Sequence, residues 1–221
     1  MQPHKIVSGA EWIAARKAHL AAEKKFTEAR DELSRQRREL PWVKVDKPYV
    51  FEGPQGKETL AELFGGRSQL IVYHFMFGPG WEQGCPSCSF LSDHFDGAIV
   101  HLAQRDVTML AVSRAPLPQI EAFKKRMGWR FKWVSSFGSD FNRDYQVSFT
   151  KDELEQSKAY YNYKLAQAGA AASGTQGVQE QGAGAVDDGS ADYLGAFRSL
   201  GEASGVQASV GRSSVMGLQS H

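Results

Sequence analysis

The chain has 221 residues, of which 42% are hydrophobic and 23% charged, and its formal net charge is +1. This length suits one ordinary domain with extensions, and the near-neutral charge argues against bulk binding to nucleic acid or to an anionic membrane. Because no apolar run could span a bilayer and the N-terminus lacks the apolar stretch of a signal peptide, we expect a cytoplasmic protein with neither nucleic acid nor membrane among its partners.

Residues 8–39 are predicted to form one long helix. Ser8 and Glu11 fit a capping box at its start, and Pro41 ends it. Apolar residues recur along it as one sparse stripe: Ile13, Leu20, Phe26, Ala29, Leu33 and Leu40. The helix is longer than a small core is wide, so part of it either forms a homodimer contact or lies as a solvated arm on its own domain. We treat residues 1–41 as an N-terminal helical extension.

Residues 42–165 are predicted to form an α/β domain with a central sheet flanked by helices. Residues 42–52 alternate like an exposed hairpin or edge strand, and the apolar runs 69–77 and 106–112 are typical of buried strands. Helical spacing from Phe90 to about Gln104 separates those runs, so the order strand, helix, strand indicates a parallel crossover. The remaining patterns predict a helix, two short strands and a last helix, at 117–127, 129–134, 146–149 and 150–165.

The segment 166–221 differs in composition from the rest of the chain. It is dominated by glycine, alanine, serine and glutamine and contains no proline or lysine. Such a segment buries too little apolar surface to offset the entropy of ordering it, so we predict a low-complexity, disordered tail. It is either a divergent tail or the product of an altered reading frame, and the composition favours the second. The domain would then lack its last strands, leaving an exposed sheet edge.

The two cysteines of the chain lie three residues apart, in the motif Cys85-Pro86-Ser87-Cys88. The motif follows an apolar strand and opens a helix, the placement of a redox-active dithiol. A cysteine at a helix start lies near unpaired amides that favour its thiolate, and Pro86 suits the first helical turn. Cys88, one turn further, can attack a mixed disulfide on Cys85. We therefore predict that Cys85 is the nucleophile and Cys88 the resolving residue.

Other readings of the motif are less favoured. The cysteines could be small buried hydrophobic residues. A structural zinc site needs four ligands, and His74, His94 and His101 do not complete a recognisable set with the two cysteines. The glycines of the loop before Cys85 have the wrong spacing for a dinucleotide-binding loop. We therefore predict no metal and no cofactor.

Four further residues are candidates for supporting roles. Trp81 is either a flat surface for substrate or an exposed loop aromatic, and Glu82 places a carboxylate three residues before Cys85. His74, within the apolar strand, is either the buried base for Cys88 or an ordinary core histidine. Arg114, or Arg143 in its place, could supply the positive charge that a peroxidase needs.

Several separate motifs occur in the order expected of known relatives. The glycines and leucines of residues 56–66, the strand 70–75 and the cysteine motif resemble the opening of the peroxiredoxin and thioredoxin-like superfamily. The motifs at 73–78, 81–89, 129 and 139–145 resemble, more closely, an uncharacterised bacterial family whose members are identified as dithiol-disulfide oxidoreductases. The resemblance covers about residues 5–163. It implies a thioredoxin-like fold that acts on a disulfide-bearing protein or a small thiol substrate, with a cellular thiol as reductant.

Two departures from the relatives matter. The residue three before Cys85 is Glu82, where peroxiredoxins carry threonine, and a carboxylate there would oppose the thiolate. No proline follows Pro118, whereas thioredoxin-like domains place a cis-proline loop opposite the dithiol. We therefore expect a thiol-disulfide oxidoreductase. The alternatives are a redox-sensing or binding module without turnover, a peroxiredoxin-like thiol peroxidase, and an inactive or truncated relative.

Overall fold

The structure is a computed structural model that describes residues 4–150, 152–153, 156, 158, 160–161, 164–165, 194–199 and 206–210. The chain divides into two units, residues 1–42 and residues 43–221. The first unit contains helix α1 (Gly9–Arg38). The strands of the second unit are β1 (Val43–Val45), β2 (Val50–Gly53), β3 (Gly56–Thr59), β4 (Gln69–His74), β5 (Val107–Ser113), β6 (Lys132–Ser135), β7 (Tyr160–Tyr161), β8 (Lys164–Leu165), β9 (Leu194–Ser199) and β10 (Val206–Val210). Its helices are α2 (Pro86–Phe95), α3 (Ile99–Ala103), α4 (Leu117–Met127) and α5 (Phe141–Asp144), with a 3₁₀ turn at Glu62–Phe64.

Helix α1 begins at the predicted capping box, where the Ser8 amide donates to the Glu11 carboxylate at 2.9 Å and the Glu11 amide to the Ser8 hydroxyl at 3.3 Å. None of its residues is buried. The expectation of a single apolar stripe is wrong. The six-residue step from Leu20 to Phe26 turns a helix of about 3.6 residues per turn well away from the line that joins Ile13 and Leu20. No helix among the described residues is long and apolar enough to cross a membrane.

The central sheet confirms the predicted α/β class and its thioredoxin-like order of strand, dithiol-bearing helix and parallel strand. Strands β4, β5 and β6 are parallel neighbours, with Leu70 opposite Thr108 and Leu110 opposite Lys132. Strand β2 pairs antiparallel with β6 and with β3, which closes this side of the sheet with a hairpin. The carboxyl ends of the three parallel strands therefore meet at one edge, where the loop to the cysteines begins.

The two faces of the sheet carry separate apolar clusters, because side chains alternate along each strand. One cluster contains Leu70 and Val72 of β4 with Phe141 of α5. The other contains Tyr73, Phe75 and Phe77 together with residues of α4 and of the segment 129–133. Cys88 belongs to the second cluster, so the dithiol helix packs on that face only.

Strand β4 pairs with β5 along one edge. Along its other edge, the sheet continues with two strands from the segment that composition predicts to be disordered. Strand β9 pairs antiparallel with β4, β10 with β9, and β1 with β10. The expectation that the sheet lacks its last strands is therefore corrected for residues 194–199 and 206–210; the rest of 166–221 lies outside the described residues. Backbone pairing along an open strand edge does not depend on large side chains, so average composition is a poor guide to it.

Two helices differ from the predicted pattern for local reasons. The helix expected from Phe90 to Gln104 is broken between α2 and α3, where Asp96 turns its carboxylate to the amides of Arg130 and Phe131 at 2.7 and 3.0 Å. The capping box at Thr150 and Glu153 is present, with the Thr150 amide donating to the Glu153 carboxylate at 2.7 Å. The helix expected to follow it does not persist, because residues 160–161 and 164–165 form the two-stranded β7–β8 pair.

Candidate functional site

The loop after β4 delivers Cys85 to the start of α2. The Cys85 amide donates to the carbonyl of Met76 at 3.0 Å, which returns the chain to the end of the strand. Cys85 is the N-cap residue of α2, and Pro86 is the first residue of the helix. The amide and hydroxyl of Ser89 both donate to the Cys85 carbonyl at 2.9 Å. These contacts give the helix start that the motif predicts.

The loop can approach the core this closely because residue 84 is glycine. A Cβ atom at Gly84 would lie 2.5 Å from Cε1 of Phe75 and 3.2 Å from Cε1 of Phe123. A larger residue would have to displace two buried aromatic rings or move the backbone that precedes Cys85. Gly84 therefore sets the depth at which the first cysteine sits.

The two cysteines are thiols in very different surroundings. Cys85 is partly exposed, whereas Cys88 is 4% exposed and lies inside the second cluster. The pKa of Cys88 is raised strongly, first by its hydrogen bond with Cys85, then by burial, and further by the charge of a Cys85 thiolate. Hydrogen bonds from the Tyr73 hydroxyl and the Met76 amide act in the opposite direction. Cys88 therefore keeps its proton while Cys85 is available to react.

Aromatic side chains surround the buried part of the dithiol. Phe75 contacts Trp133 with ring centroids 4.4 Å apart, and Phe123 contacts Trp129 at 5.8 Å. Trp81 and Cys85 are both partly buried against this cluster. The Trp81 ring lies over Gly78. The side-chain amide of Gln119, on α4, donates a hydrogen bond to the backbone carbonyl of Trp81. The structure thus brings Trp81 to the rim of the dithiol cluster.

The other residues of the motif and its flank face solvent. Glu82, Pro86 and Ser87 are exposed. Water and salt screen the exposed carboxylate of Glu82. It therefore acts on the Cys85 sulfur more weakly than a carboxylate in a closed pocket would.

His74 lies on the opposite face of the sheet from Cys88. Its ring stacks on Phe141, with centroids 5.4 Å apart, and lies 6.2 Å from the ring of Tyr145. Burial alone lowers the pKa of His74 to about 4, and its Nδ1 atom has no hydrogen-bond partner among the described residues. The structure therefore does not bring His74 together with Cys88, and the proposed role as its base is not supported by this placement. The alternation of β4 accounts for the outcome, because residues 73 and 74 must point to opposite faces.

Arg114 also lies away from the dithiol face. It directly follows β5 and continues the alternation of Leu110 and Val112, which belong to the Phe141 cluster. Burial lowers the pKa of Arg114, and the positive charge of Arg143 lowers it further. One of the charges that act on Arg114 therefore belongs to a residue of α5.

Tyr73 and Met76 both lower the pKa of Cys88, and the sequence analysis named neither of them. Tyr73 stands in an apolar run and reads as an ordinary core residue. A signal was present, because alternation puts Tyr73 on the same face as Phe75 and beneath the cysteine helix. The contribution of Met76 is made by its backbone, which no side-chain pattern reveals. Among the described residues, no group of three or more histidine, cysteine, aspartate and glutamate side chains is placed to hold a metal ion.

Comparison with known proteins gives a family match and distant structural matches. A family model described as "Bacterial protein of unknown function (DUF899)" matches residues 1–187. No curated protein sequence matches significantly. Among solved structures, a cysteine-to-serine mutant of PrxQ from Xylella fastidiosa is 18% identical with a TM-score of 0.42, covering 50% of this chain and 67% of its own. A proposed protein disulfide isomerase from Bacteroides thetaiotaomicron is 20% identical with a TM-score of 0.35, covering 47% of this chain and 65% of its own.

Proposed function

The chain belongs to the bacterial protein family DUF899, and we propose that it is a thiol–disulfide oxidoreductase in which Cys85 attacks and Cys88 resolves. The observation that carries the proposal is the contrast between two hydrogen-bonded thiols, one partly exposed at a helix start and the other buried beneath it. This contrast assigns different tasks to the two sulfurs. The accessible sulfur meets the substrate, and the protected one meets only Cys85.

The reaction begins with attack of the Cys85 thiolate on a substrate disulfide. A bond forms between Cys85 and one substrate sulfur, and the other substrate sulfur leaves as a thiol after taking a proton. The Cys88 sulfur then attacks Cys85, forming the Cys85–Cys88 disulfide and releasing the second substrate sulfur, which takes the proton given up by Cys88. The substrate is reduced by two electrons and the protein is oxidised by two. A cellular thiol reductant returns the protein to the dithiol.

The open surroundings of the first cysteine support a disulfide-bearing protein or a small thiol compound as substrate. Cys85, Pro86 and Ser87 present the motif at the surface, with Trp81 at its rim. A reducing cytoplasm would supply the thiol reductant, and we place the protein there as part of the proposal. A homodimer through α1 also remains a proposal, which the mass of the protein in solution tests directly.

A peroxidase is the second candidate, because Cys85 is partly exposed and a small oxidant could reach it. A redox-sensing module that uses the same dithiol without turnover is the third.

One experiment separates these functions. Turnover of insulin disulfides by the wild type, with a thiol reductant, is compared with that of Cys85→Ser, Cys88→Ser and the double variant. The proposal predicts turnover in the wild type alone, and a mixed disulfide on Cys85 that mass spectrometry detects in Cys88→Ser. Faster consumption of hydrogen peroxide than of disulfide would favour the peroxidase. Oxidation that changes the oligomer without any turnover would favour the sensing module.

A further inference from the structure

Helix α1 carries a seven-residue repeat that differs from the predicted single stripe. Large side chains recur at every seventh position: Trp12, His19, Phe26 and Leu33. Three residues after each of them stands a smaller or polar side chain: Ala15, Ala22, Ala29 and Gln36. The first set occupies position a and the second position d of a heptad that runs through almost four repeats of an unbroken helix. From Trp12 to Gln36 the repeat is about 36 Å long.

The side of α1 that carries this repeat faces water in the single chain. Trp12, Phe26 and Leu33 are each more than half exposed, and no residue of α1 is buried. A line of large apolar side chains in water is a surface that association would cover. An apolar spacing that averages 3.5 residues fits a helix with the same spacing, because both helices must wind to the same degree. A second copy of α1 has that spacing.

The charged residues beside the repeat bear on the orientation of the second copy. Position e holds three basic residues and one acidic residue: Arg16, Glu23, Arg30 and Arg37. Position g holds two acidic residues, one basic residue and an alanine: Glu11, Ala18, Lys25 and Glu32. Antiparallel helices would bring the mostly basic e residues against those of the partner subunit, which costs free energy.

Parallel helices instead bring each g residue near the e residue that lies five positions later in the partner subunit. Two of these pairs join opposite charges, Glu11 with Arg16 and Glu32 with Arg37, and one joins like charges, Lys25 with Arg30. Opposite charges across the seam attract and like charges repel. Charge complementarity therefore favours the parallel orientation.

His19 is the polar member of the a positions. Its side chain is exposed in the single chain and lies 3.5 Å from the Glu23 carboxylate. A single polar residue at position a fixes the register of two helices at a cost in stability. In register, the two His19 side chains meet each other. A shift by one heptad would place each of them against an apolar side chain, so His19 favours the in-register pairing.

We propose that two copies of the chain associate through α1 as a parallel, in-register coiled coil. Its seam, called the α1 seam, consists of residues 12, 15, 19, 22, 26, 29, 33 and 36. Ile13 and Leu20 each follow a residue at position a and lie outside the seam. The inference rests on the homodimer of the proposed function, to which it adds the contact residues and the orientation. It does not depend on the redox chemistry.

Two leucines of α1 provide a matched test. Leu33 lies in the α1 seam and Leu20 outside it, and they are 53% and 40% exposed. Each is followed four residues later by a basic residue, so glutamate gains the same helical neighbour at either position. Leu33→Glu should raise the dissociation constant of the dimer by about a hundredfold or more, because both copies lose a buried leucine. Leu20→Glu should leave it unchanged.

Sedimentation equilibrium of the full chain over a range of concentrations measures these dissociation constants. Far-ultraviolet circular dichroism checks that both variants keep the helix. His19→Leu should lower the dissociation constant, because it removes the polar residue from the seam. This third variant moves the equilibrium in the direction that damage to the fold would not.

A cross-link tests the orientation. In a Cys85→Ser, Cys88→Ser background, Leu33→Cys gives the chain a single thiol in the α1 seam. Oxidation by copper phenanthroline should join two copies through this thiol, because residue 33 meets itself only when the helices are parallel and in register. Leu20→Cys in the same background is the control and should form the cross-link at least about tenfold more slowly, since position b points away from the partner.

The double cysteine variant without the new thiol should dimerise as the wild type does, so the α1 seam and the oxidoreductase can fail separately. A wild type with the mass of one chain at every concentration, or of three chains or more, would overturn the proposal. A dimer that Leu33→Glu weakens no more than Leu20→Glu would show that the contact lies elsewhere. A dimer without the cross-link at residue 33 would overturn the parallel orientation.

Discussion

The indole Nε1 of Trp129 donates a 2.6 Å hydrogen bond to the carboxylate of Asp93, which joins the helix carrying the dithiol to the chain that follows α4. Trp129 is 6% exposed, so its N–H has little access to water. In Asp93→Ala this donor would be left buried and unsatisfied, and the free energy of unfolding should fall by about 1–3 kcal/mol. Urea unfolding measures the loss. Asp93→Asn keeps an acceptor and should lose less. Equal losses in the two variants would show that the hydrogen bond is not the cause.

Substitution of Gly84 should disturb both stability and reactivity. The Cβ atom of Gly84→Ala would contact the rings of Phe75 and Phe123, and overpacking of this kind costs about 1–3 kcal/mol. The rate of insulin reduction should change as well, because the added methyl group moves the backbone before Cys85. Gly97→Ala is the control, since a Cβ atom there meets nothing within 4 Å. A Gly84→Ala protein as stable as Gly97→Ala would contradict the contact.

The burial of His74 predicts a loss of stability in acid. Its pKa is lowered from 6.5 to about 4, so between these pH values the unfolded chain binds a proton that the folded chain does not. Protonation of His74 in the unfolded chain therefore destabilises the fold only below about pH 6.5. This destabilisation grows as the pH falls and approaches about 3 kcal/mol near pH 4. His74→Leu should lack this component of the pH profile in urea unfolding.

The same variant tests the placement of His74. His74→Leu should reduce insulin disulfides at the rate of the wild type, since the ring lies across the sheet from Cys88. Substitution of His101, which is exposed on α3, serves as a control for the loss of a histidine that water already solvates. Slower insulin reduction in His74→Leu alone would restore His74 as a candidate base for Cys88.

The Asp144 carboxylate, at the end of α5, should stabilise the folded protein through its contacts with Lys47 and Tyr49. Its carboxylate accepts from the Lys47 amine and the Tyr49 hydroxyl, each at 2.6 Å, and these contacts lower the pKa of Asp144. Asp144→Ala should cost about 1–2 kcal/mol after allowance for solvent screening. Breaking the exposed Lys44–Asp46 pair by Asp46→Ala should cost less than about 0.5 kcal/mol, which chemical unfolding can compare directly.

The sequence predicts the parallel core well because its signals are local and strong. The run before Tyr73 and His74 is apolar over a strand length, and Pro86 marks the helix start. In both cases the secondary structure is determined by residues that are adjacent in the sequence. The break between α2 and α3 could not be predicted in this way. It depends on Asp96 reaching amides at residues 130 and 131, more than thirty positions away.

The candidate site was predictable in its sulfurs but not in its supporting groups. A three-residue spacing at a helix start is enough to predict that Cys85 and Cys88 lie within one helical turn of each other. His74 and Tyr73 differ by one position, and only the register of the strand against the helix decides which of them faces the sulfur. The pattern of a fully apolar strand does not reveal that choice, because both faces are buried.

The aromatic cluster around Cys88 also gives the dithiol a built-in optical signal. Trp129 and Trp133 belong to that cluster, and Trp81 packs against it beside Cys85. Thiols, thiolates and disulfides quench nearby indole fluorescence to different extents, so each redox state should have its own emission intensity. The protein's own tryptophans can therefore report its redox state, and a titration against thiol buffers would give its potential without any added label.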